Sequence, residues 1–319
     1  MAHRNLDRRR FVQLAAGIGF AVQLRSQQSS PGKLKVDAYS RHLQWLRTAD
    51  EVAEAAIEMG YEGLDLTVRP YPGHVDPARV AQDLPPFVKA IRKHGIDVTS
   101  ITCPITGADS PNAEAMLKTA SELGIRYYWW GTFRYEKNAP VMQQLDALKP
   151  RVAELAALNA KYNMTAMYHT YSGSQMIGAA VWDFLYVLRD FDPAQVGFHY
   201  DIGHMTNAGG NGTWETNLRA AGPYVKGVSV KDSFIEKSAD GKWRVRYVPL
   251  GQGNVPLAQF ASILKEIHFT GPMEIQAEYP NGGAEDAKDQ LTLPRSEVLG
   301  AMKRDRLVLQ NALAEAGLA

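Results

Sequence analysis

The chain has 319 residues, of which 45% are hydrophobic and 22% are charged. This composition is sufficient for a large buried core and excludes an intrinsically disordered protein. The 35 basic and 34 acidic residues leave a formal charge of +1, so neither nucleic acid nor an anionic membrane surface is an expected partner. The single cysteine, Cys103, excludes an intramolecular disulfide and any cysteine-rich zinc or iron–sulfur site.

The N-terminal segment combines positive charge with a short apolar run. Arg8, Arg9 and Arg10 precede a weakly hydrophobic stretch that is rich in alanine and glycine. This order resembles a twin-arginine export signal. The resemblance implies a signal peptide over residues 1–31 and export of the domain formed by residues 32–319 to the periplasm or another site outside the cytoplasm. The alternative is a basic N-terminal helix. A stable membrane span would need about 20 apolar residues, about twice the length of this run.

From Lys33 onward the sequence repeats one unit, in which a short β-type run is followed by a polar loop and a helical stretch. The first helix has both of its ends marked, because Thr48 and Glu51 form a capping-box pattern and Gly60 suits the C-terminal cap. Eight runs have the composition of strands, and they cover residues 34–39, 61–68, 96–105, 125–133, 164–170, 196–200, 224–230 and 272–278.

Helical stretches separate these runs. The dipeptide Ser110-Pro111 is typical of a helix start. Pro150 predicts a break in the helix over residues 140–162. Further helices are predicted over residues 176–189, 214–221, 256–267 and 297–316.

The sustained alternation predicts an α/β fold that forms a single (β/α)8 TIM barrel rather than an open doubly wound sheet. The turn after the first run, residues 39–42, lacks the glycines of a dinucleotide-binding motif, and the sequence contains no Walker-type loop. These absences exclude Rossmann and nucleoside triphosphate-binding proteins. In a closed barrel the chemistry lies at the carboxyl ends of the strands, so the polar residues at those ends are the candidates for a site.

The sixth predicted strand leads into a carboxylate and an imidazole. Asp201 ends this strand and His204 follows three residues later, so both side chains can face one cavity. The pair could hold a hard divalent cation or supply a general base with a polarising group. A salt bridge or a helix cap is the alternative for each residue. His169, at the end of the fifth strand, adds an imidazole that is either a ligand or a structural histidine.

The seventh predicted strand ends in a lysine. Alternate side chains of a strand face opposite sides, so Ser229 and Lys231 face one way and Asp232 the other. A lysine over the cavity could stabilise an enolate or alkoxide oxygen. A surface salt bridge between Lys231 and Asp232 is the alternative.

The eighth predicted strand carries three polar residues, Glu274, Gln276 and Glu278, on one face. Burying such a ladder without partners would cost several kcal/mol for each charge. The strand therefore either pairs with cations inside the barrel or lines a polar site. Asp65, near the end of the second strand, is a further polar candidate.

The fourth predicted strand contains Trp129 and Trp130, and Arg134 follows it. An aromatic face beside an arginine suits stacking against the apolar face of a sugar ring. We therefore expect Trp130 and Arg134 to contact a substrate. Core packing is the alternative for one of the two tryptophans.

Four motifs occur in order in the C-terminal half: His-Tyr-Asp-Ile-Gly-His at 199–204, Ser-Val-Lys-Asp at 229–232, Val-Pro-Leu-Gly-Gln-Gly-Asn-Val at 248–255 and Gly-Pro-Met-Glu-Ile-Gln-Ala-Glu-Tyr at 271–279. Together they resemble the xylose isomerase-like sugar phosphate isomerase/epimerase family, over about residues 33–315. The resemblance implies a (β/α)8 barrel in which Glu, Asp, His and Glu from strands 5, 6, 7 and 8 hold a divalent metal. It also implies acidic residues that move protons at a carbon next to a carbonyl.

The match to this family is partial at the ligand positions. Asp201 matches the aspartate ligand, and His204 matches a substrate-contacting histidine. The other three ligands are replaced, by His169 on strand 5, Ser229 on strand 7 and Gln276 on strand 8. A register shift on strand 8 would give a thinner metal set of His169, Asp201 and Glu278, suited to Mn, Mg, Zn or Co. Without that shift, the metal is absent.

We therefore expect an exported isomerase or epimerase that acts on a small-molecule sugar or keto-sugar. In this hypothesis Asp201 and Glu278 transfer protons at the substrate carbon, His204 orients the substrate and Lys231 stabilises the oxyanion. The expected substrate-binding residues are Trp130, Arg134, Gln276 and Asp65. The alternatives are a lyase that acts on keto-glycosides through the same enolate chemistry and a non-catalytic carbohydrate-binding barrel. DNA-repair endonucleases of the same superfamily need more metal ligands and a basic track that this chain lacks.

Overall fold

The structure is a computed structural model that describes residues 32–209 and 212–319. The predicted signal peptide, residues 1–31, lies outside the described residues. Eight parallel strands close into a barrel in chain order, and the last pairs with the first. The strands are β1 (Asp37–Tyr39), β2 (Gly63–Thr67), β3 (Asp97–Thr102), β4 (Tyr127–Trp130), β5 (Thr165–His169), β6 (Val196–Asp201), β7 (Val225–Val230) and β10 (Met273–Ile275). The prediction of a single (β/α)8 TIM barrel is confirmed, and each predicted strand corresponds to one barrel strand.

Helices surround the barrel: α1 (Ala49–Met59), α2 (Val80–Lys93), α3 (Ala113–Glu122), α4 (Val141–Tyr162), α5 (Trp182–Leu188), α6 (Ile202–Gly209), α7 (Trp214–Ala221), α8 (Leu257–Glu266) and α9 (Arg295–Glu315). The predicted ends of α1 are confirmed. Thr48 and Glu51 form a capping box in both directions, and Gly60 has a left-handed φ of 82°. Within residues 32–209 and 212–319, the helices lack the combination of length and apolar character that crossing a bilayer requires.

Three helix predictions were wrong. Helix α4 continues through Pro150, which lies on its exposed face, where water can bind the carbonyl that loses its N–H partner. Helix α5 begins later than predicted, because Gly178 and Val181 have left-handed φ angles of 89° and 63°. Ser110 does not cap α3; its hydroxyl accepts N–H groups from the preceding loop, and α3 starts after Asn112.

A two-stranded hairpin, which the sequence analysis did not predict, follows β7. Strands β8 (Asp232–Lys237) and β9 (Trp243–Val248) pair antiparallel, with Asp232 opposite Val248. The Asp232 carboxylate accepts the N–H groups of Gly251 at 2.9 Å, Gly253 at 2.9 Å and Val255 at 3.0 Å. Asp232 thereby anchors the loop after the hairpin, and it does not pair with Lys231.

Residue alternation along the strands separates an apolar wall from a polar interior. On β6, Phe198 and Tyr200 face the helices, while His199 and Asp201 face the barrel axis. All four are buried. This side of the strand is therefore polar, and a buried charged group there needs a partner of opposite charge or a hydrogen bond.

Candidate functional site

The side chains at the carboxyl ends of β5, β6 and β7 converge on one point. His169, Asp201 and Lys231 are each at most 1% exposed. The strands β5, β6 and β7 are hydrogen-bonded neighbours in the barrel, so the three residues lie side by side at its carboxyl end. His204 from α6 and Glu278 from the segment after β10 complete the group. The sequence analysis named these five residues, and the structure brings all of them together.

The Lys231 ammonium lies at the centre of this group. Its Nζ atom is 2.9 Å from Asp201 Oδ2 and 3.0 Å from Glu278 Oε2. It is also 3.1 Å from Gln276 Oε1 and 2.9 Å from His204 Nε2. Burial alone would lower the pKa of Lys231, but the charges of Asp201 and Glu278 outweigh burial and raise this pKa above its ordinary value. Lys231 is therefore a buried, paired cation rather than a surface one.

The contact with Lys231 defines the protonation of His204. An ammonium has only donors, so His204 Nε2 must accept and the ring proton must lie on Nδ1, which is 3.2 Å from the Ser172 hydroxyl. Burial, followed by the charge of Lys231, holds the pKa of His204 well below its ordinary value. We therefore assign His204 as a neutral imidazole with its proton on Nδ1.

Asp201 has two separate tasks. Its Oδ1 accepts the backbone N–H of His204 at 2.8 Å, which caps the start of α6. Its Oδ2 meets Lys231 and lies 3.5 Å from His169 Nε2. The glycine in this motif is required, because a Cβ at Gly203 would lie 2.8 Å from the Lys231 carbonyl oxygen. The Asp-x-x-His spacing thus combines a helix cap with a site carboxylate.

His199 extends the site toward the barrel interior, and the sequence analysis missed it. Its Nδ1 lies 3.1 Å from His169 Nδ1, so one ring donates and the other accepts. Burial lowers the pKa of His199 to about 4. Burial, together with the neighbouring His199 and Lys231, holds the pKa of His169 well below its ordinary value. Both rings are neutral at pH 7. The strand periodicity could have identified His199, because it precedes Asp201 by two residues and shares its face.

Gln276 connects the site to a lower layer of acids. Its amide oxygen accepts from Lys231, and its amide nitrogen donates to Glu274 Oε1 at 2.8 Å. Asp65 lies in the same layer, where it accepts hydroxyl hydrogen bonds from Ser100 at 2.8 Å and Thr102 at 2.6 Å. Asp65 is 1% exposed and both of its oxygens accept hydroxyl groups of the barrel, so its contact with a substrate stays a prediction that these hydrogen bonds do not favour. Both Gln276 and Asp65 support the site from below.

The protonation of this layer follows from its burial. Burial raises the pKa of Asp65 to about 6. Burial and the adjacent Asp65 charge raise the pKa of Glu274 well above its ordinary value. Glu274 therefore holds a proton at neutral pH. The polar ladder that begins on β10 and continues beyond it thus consists of one neutral acid, Glu274, one amide, Gln276, and one carboxylate, Glu278, that pairs with Lys231.

The two tryptophans of β4 face opposite ways. Trp130 is fully buried, with its ring centroid 5.3 Å from that of Tyr168 and 5.5 Å from that of Phe184. The expectation that Trp130 stacks on a sugar is therefore wrong, because its ring lies between the barrel wall and α5. Trp129 instead faces the axis, with its ring centroid 5.8 Å from that of His169. The alternation of side chains puts the aromatic face of the site one residue earlier than expected.

Two tyrosines that the sequence analysis missed flank the site. The Tyr171 ring centroid lies 4.6 Å from that of His169 and 4.9 Å from that of His204. The Tyr247 ring, from β9, lies 5.3 Å from Lys231 Nζ. Tyr171 could have been found from its position two residues after His169. Tyr247 could not, because only the hairpin brings it back to the site.

A cavity of about 580 Å³ opens beside these residues at the carboxyl end of the barrel. Tyr171, Ser172 and the exposed Arg134 line it, together with Thr132 and Met176. Its size is within the range of small-molecule sites. Ser172 joins this cavity to the site through its contact with His204. Arg134 thus lines the cavity, and its contact with a substrate stays a prediction.

A divalent metal was tested against these side chains. Among the described residues, His169, Asp201 and His204 have ligand atoms within 4.8 Å of one another, so this group could hold a metal ion. It contains His204 where the predicted set had Glu278. However, Lys231 Nζ lies 2.9 Å from both Asp201 and His204. An ion on those atoms would lie against an ammonium in a buried site, where like charges repel strongly. The residues therefore do not fit a metal while Lys231 holds this position.

The sequence matches the family described as xylose isomerase-like TIM barrel over residues 53–296. No curated protein matches the chain. Among solved structures, the IolI protein with a bound zinc atom superposes with a TM-score of 0.65, at 15% identity over 89% of this chain and 99% of that one.

Two structures named as epimerases are also similar. D-psicose 3-epimerase from Clostridium cellulolyticum H10, solved with D-tagatose, has a TM-score of 0.64 at 14% identity, over 88% of this chain and 99% of that one. The 3-keto-D-glucoside 4-epimerase YcjR from E. coli has a TM-score of 0.62 at 13% identity, over 86% of this chain and 100% of that one. At these identities the structural similarity shows a shared fold. Because the family match extends over most of the barrel, the chain belongs to the xylose isomerase-like TIM barrel family.

Proposed function

We propose that this protein is a sugar isomerase or epimerase that moves a proton at a carbon next to a carbonyl group of a sugar or keto-sugar. The observation that carries the proposal is the Lys231 ammonium, buried at the carboxyl end of the barrel within 3.0 Å of two carboxylates, Asp201 and Glu278. The similar structures named as a 3-epimerase and a 4-epimerase support the same class of reaction.

The chemistry needs one group that removes a proton and another that stabilises the resulting negative charge. Removing the proton from such a carbon places charge on the carbonyl oxygen. A preorganised cation in a water-poor site stabilises that charge much better than water does. Lys231 can supply this cation. A carboxylate beside Lys231 can act as the base, because it lies close to the substrate carbon whose carbonyl oxygen Lys231 would bind.

The two carboxylates receive different roles in this proposal. The Glu278 side chain is 26% exposed, whereas that of Asp201 is 0% exposed. A substrate oxygen that replaces Glu278 as an acceptor of Lys231 would free the Glu278 carboxylate to act as the base. Asp201 has one oxygen on the α6 cap and the other on Lys231. We therefore assign Glu278 as the catalytic base and Asp201 as a positioning residue for Lys231, in place of the expected pair of proton-transferring carboxylates. An isomerisation balances with Glu278 alone, because the proton that it removes returns to the neighbouring carbon on the same face, whereas an epimerisation also requires a proton donor on the opposite face.

The test is proton exchange of candidate keto-sugars in heavy water, followed by NMR. Wild-type protein should incorporate deuterium at the carbon next to the carbonyl. Glu278→Gln should reduce the exchange rate by about 100- to 10,000-fold, because it removes the base without changing side-chain size. Asp201→Asn should also reduce the rate. The new carbon–deuterium position and the product distinguish isomerisation, epimerisation and elimination by a lyase.

The matched control is Glu236→Gln, the same substitution at an exposed hairpin residue that pairs with Arg246. This variant should exchange at the wild-type rate. Circular dichroism of all three variants checks that they fold. Wild-type exchange by the Glu278→Gln protein would contradict the proposed base. Sugar binding without any exchange by the wild-type protein would instead support the carbohydrate-binding alternative.

A further inference from the structure

We propose that the Lys231 ammonium occupies the position of the divalent metal in this site, so that the protein works with an internal cation. The inference deepens the proposed function, in which Lys231 is the oxyanion donor. It begins with the ligand positions implied by the family resemblance. Of the four, only Asp201 is retained, while His169, Ser229 and Gln276 stand at the other three.

The acceptors that remain converge on a single nitrogen atom. Asp201, Glu278, Gln276 and His204 each place an oxygen or nitrogen atom within 3.1 Å of Lys231 Nζ. These are two carboxylates, an amide oxygen and an imidazole nitrogen, which are the donor types that bind a divalent cation. In this chain they surround an ammonium instead.

The replacement arises on one strand. Ser229 stands where strand 7 would supply a histidine ligand, and its hydroxyl is buried without a hydrogen-bond partner in the described part of the chain. Lys231 follows two residues later, directly after the end of β7, and continues the same face. The strand therefore lacks a metal ligand and supplies a positive charge in its place.

The charges of the group agree with this assignment. Lys231 is 1% exposed and Asp201 is 0% exposed, so each needs a partner of opposite charge. An added divalent ion would bring two further positive charges to within contact of the ammonium. Such an ion and Lys231 exclude each other from the same acceptors.

The test is metal binding by the purified full-length chain, measured by elemental analysis and by calorimetric titration with Zn²⁺ and Mn²⁺. Wild-type protein prepared without chelators should retain no stoichiometric metal after dialysis. Lys231→Met removes the charge and keeps the length of the side chain. It should bind Zn²⁺ or Mn²⁺ about 100-fold or more tightly than wild type, because the acceptors then lack a cation.

Two further variants control the experiment. Lys231→Arg keeps the charge and should not gain affinity for either ion. Lys231→Met combined with Asp201→Asn removes both buried charges, which protects folding, and should lose the gained affinity. One metal per wild-type chain that resists dialysis would overturn the inference, and so would a folded Lys231→Met protein without increased affinity. If Lys231→Met does not fold, the wild-type metal content decides the question. None of these measurements requires turnover, so failure of the inference and failure of the proposed reaction are distinguishable.

Discussion

Trp129 and Trp130 are adjacent in β4, yet their environments differ completely. Trp130 packs among Tyr168, Phe184 and Phe133 and donates its indole N–H to the Thr106 carbonyl at 3.3 Å. Trp129 faces the imidazole of His169. One tryptophan therefore contributes to the stability of the barrel and the other to the surface that a substrate would meet.

Alanine substitutions should separate these two contributions. Trp130→Ala should lower the free energy of unfolding by about 3–5 kcal/mol, because it leaves a large cavity in the core. Trp129→Ala should lower it much less and should instead raise the substrate concentration needed for half-maximal exchange. Urea unfolding and the deuterium-exchange assay measure the two effects. Equal losses of stability in both variants would contradict this division.

At the level of elements, β1, β2 and β10 share a layer of buried acids below the site. Asp37 pairs in register with Glu274 of β10 and with Gly63 of β2. One Asp37 oxygen accepts from the Thr99 hydroxyl at 2.5 Å, and the other has no hydrogen-bond partner within residues 32–209 and 212–319. Such a group is more stable when it is protonated.

This environment predicts a pH-dependent stability. Burial raises the pKa of Asp37 from an ordinary value of 3.8 to about 8, and it outweighs the hydrogen bond from Thr99. The charges of Asp65 and Asp97 raise the pKa further, and Lys35 opposes them. Because the folded state holds this proton more tightly than the unfolded state, the Asp37 contribution to stability is lost as the pH rises from about 4 to about 8.

Asp37→Asn should remove this dependence, because an amide resembles the protonated acid and does not ionise. The variant should be more stable than wild type by a few kcal/mol at pH 9, and the difference should vanish near pH 4. Urea unfolding across this pH range measures it. Asp109→Asn, at an exposed acid beside Arg151, is the control and should show no such trend. A constant difference between Asp37→Asn and wild type at every pH would contradict the assignment.

The hairpin is the element that distinguishes this barrel most from a minimal one. It follows β7 directly and returns Tyr247 to within 5.3 Å of Lys231 Nζ. Its base is held by Asp232, whose carboxylate accepts three N–H groups of the following loop. The Ser-Val-Lys-Asp motif therefore serves two purposes, with Lys231 in the site and Asp232 under the loop.

At the scale of the whole molecule, the sequence carries an export hypothesis as well as a catalytic one. We propose that the chain is exported in its folded state through the twin-arginine pathway, which requires no disulfide and suits a protein with a single cysteine. Sugar phosphates are largely cytoplasmic, so export would favour an unphosphorylated sugar as the substrate.

Substitution of Arg8 and Arg9 by lysine should test the export hypothesis. We expect the double variant to remain in the cytoplasm with its signal uncleaved, because the pathway recognises the arginine pair rather than charge alone. Cell fractionation with immunodetection of the two chain lengths measures the result. Unchanged export of the double variant through this pathway would show that the signal was misread.

The sequence by itself determined the barrel and most of the residues around Lys231. The strand and helix patterns are local, since they depend on residue alternation, caps such as Thr48 with Glu51, and turn glycines such as Gly60. Polar residues at strand ends could therefore be named as site candidates before their contacts were known. The opposite orientations of Trp129 and Trp130 also follow from local alternation along the strand. The sequence alone, however, does not say which of the two faces the barrel axis.

Only the tertiary structure decided how the candidates combine. That Asp201, Glu278 and His204 meet on one ammonium depends on the register between strands, such as Asp201 opposite Ser229 and Ser229 opposite Glu274. The contribution of Tyr247 depends on the β8–β9 hairpin, whose second strand ends beside the residue at which the first strand begins. Register and return paths are set by packing between residues distant in sequence. For that reason, the family resemblance could imply a metal site only with a register shift on strand 8, whereas the assembled contacts place a lysine among those side chains.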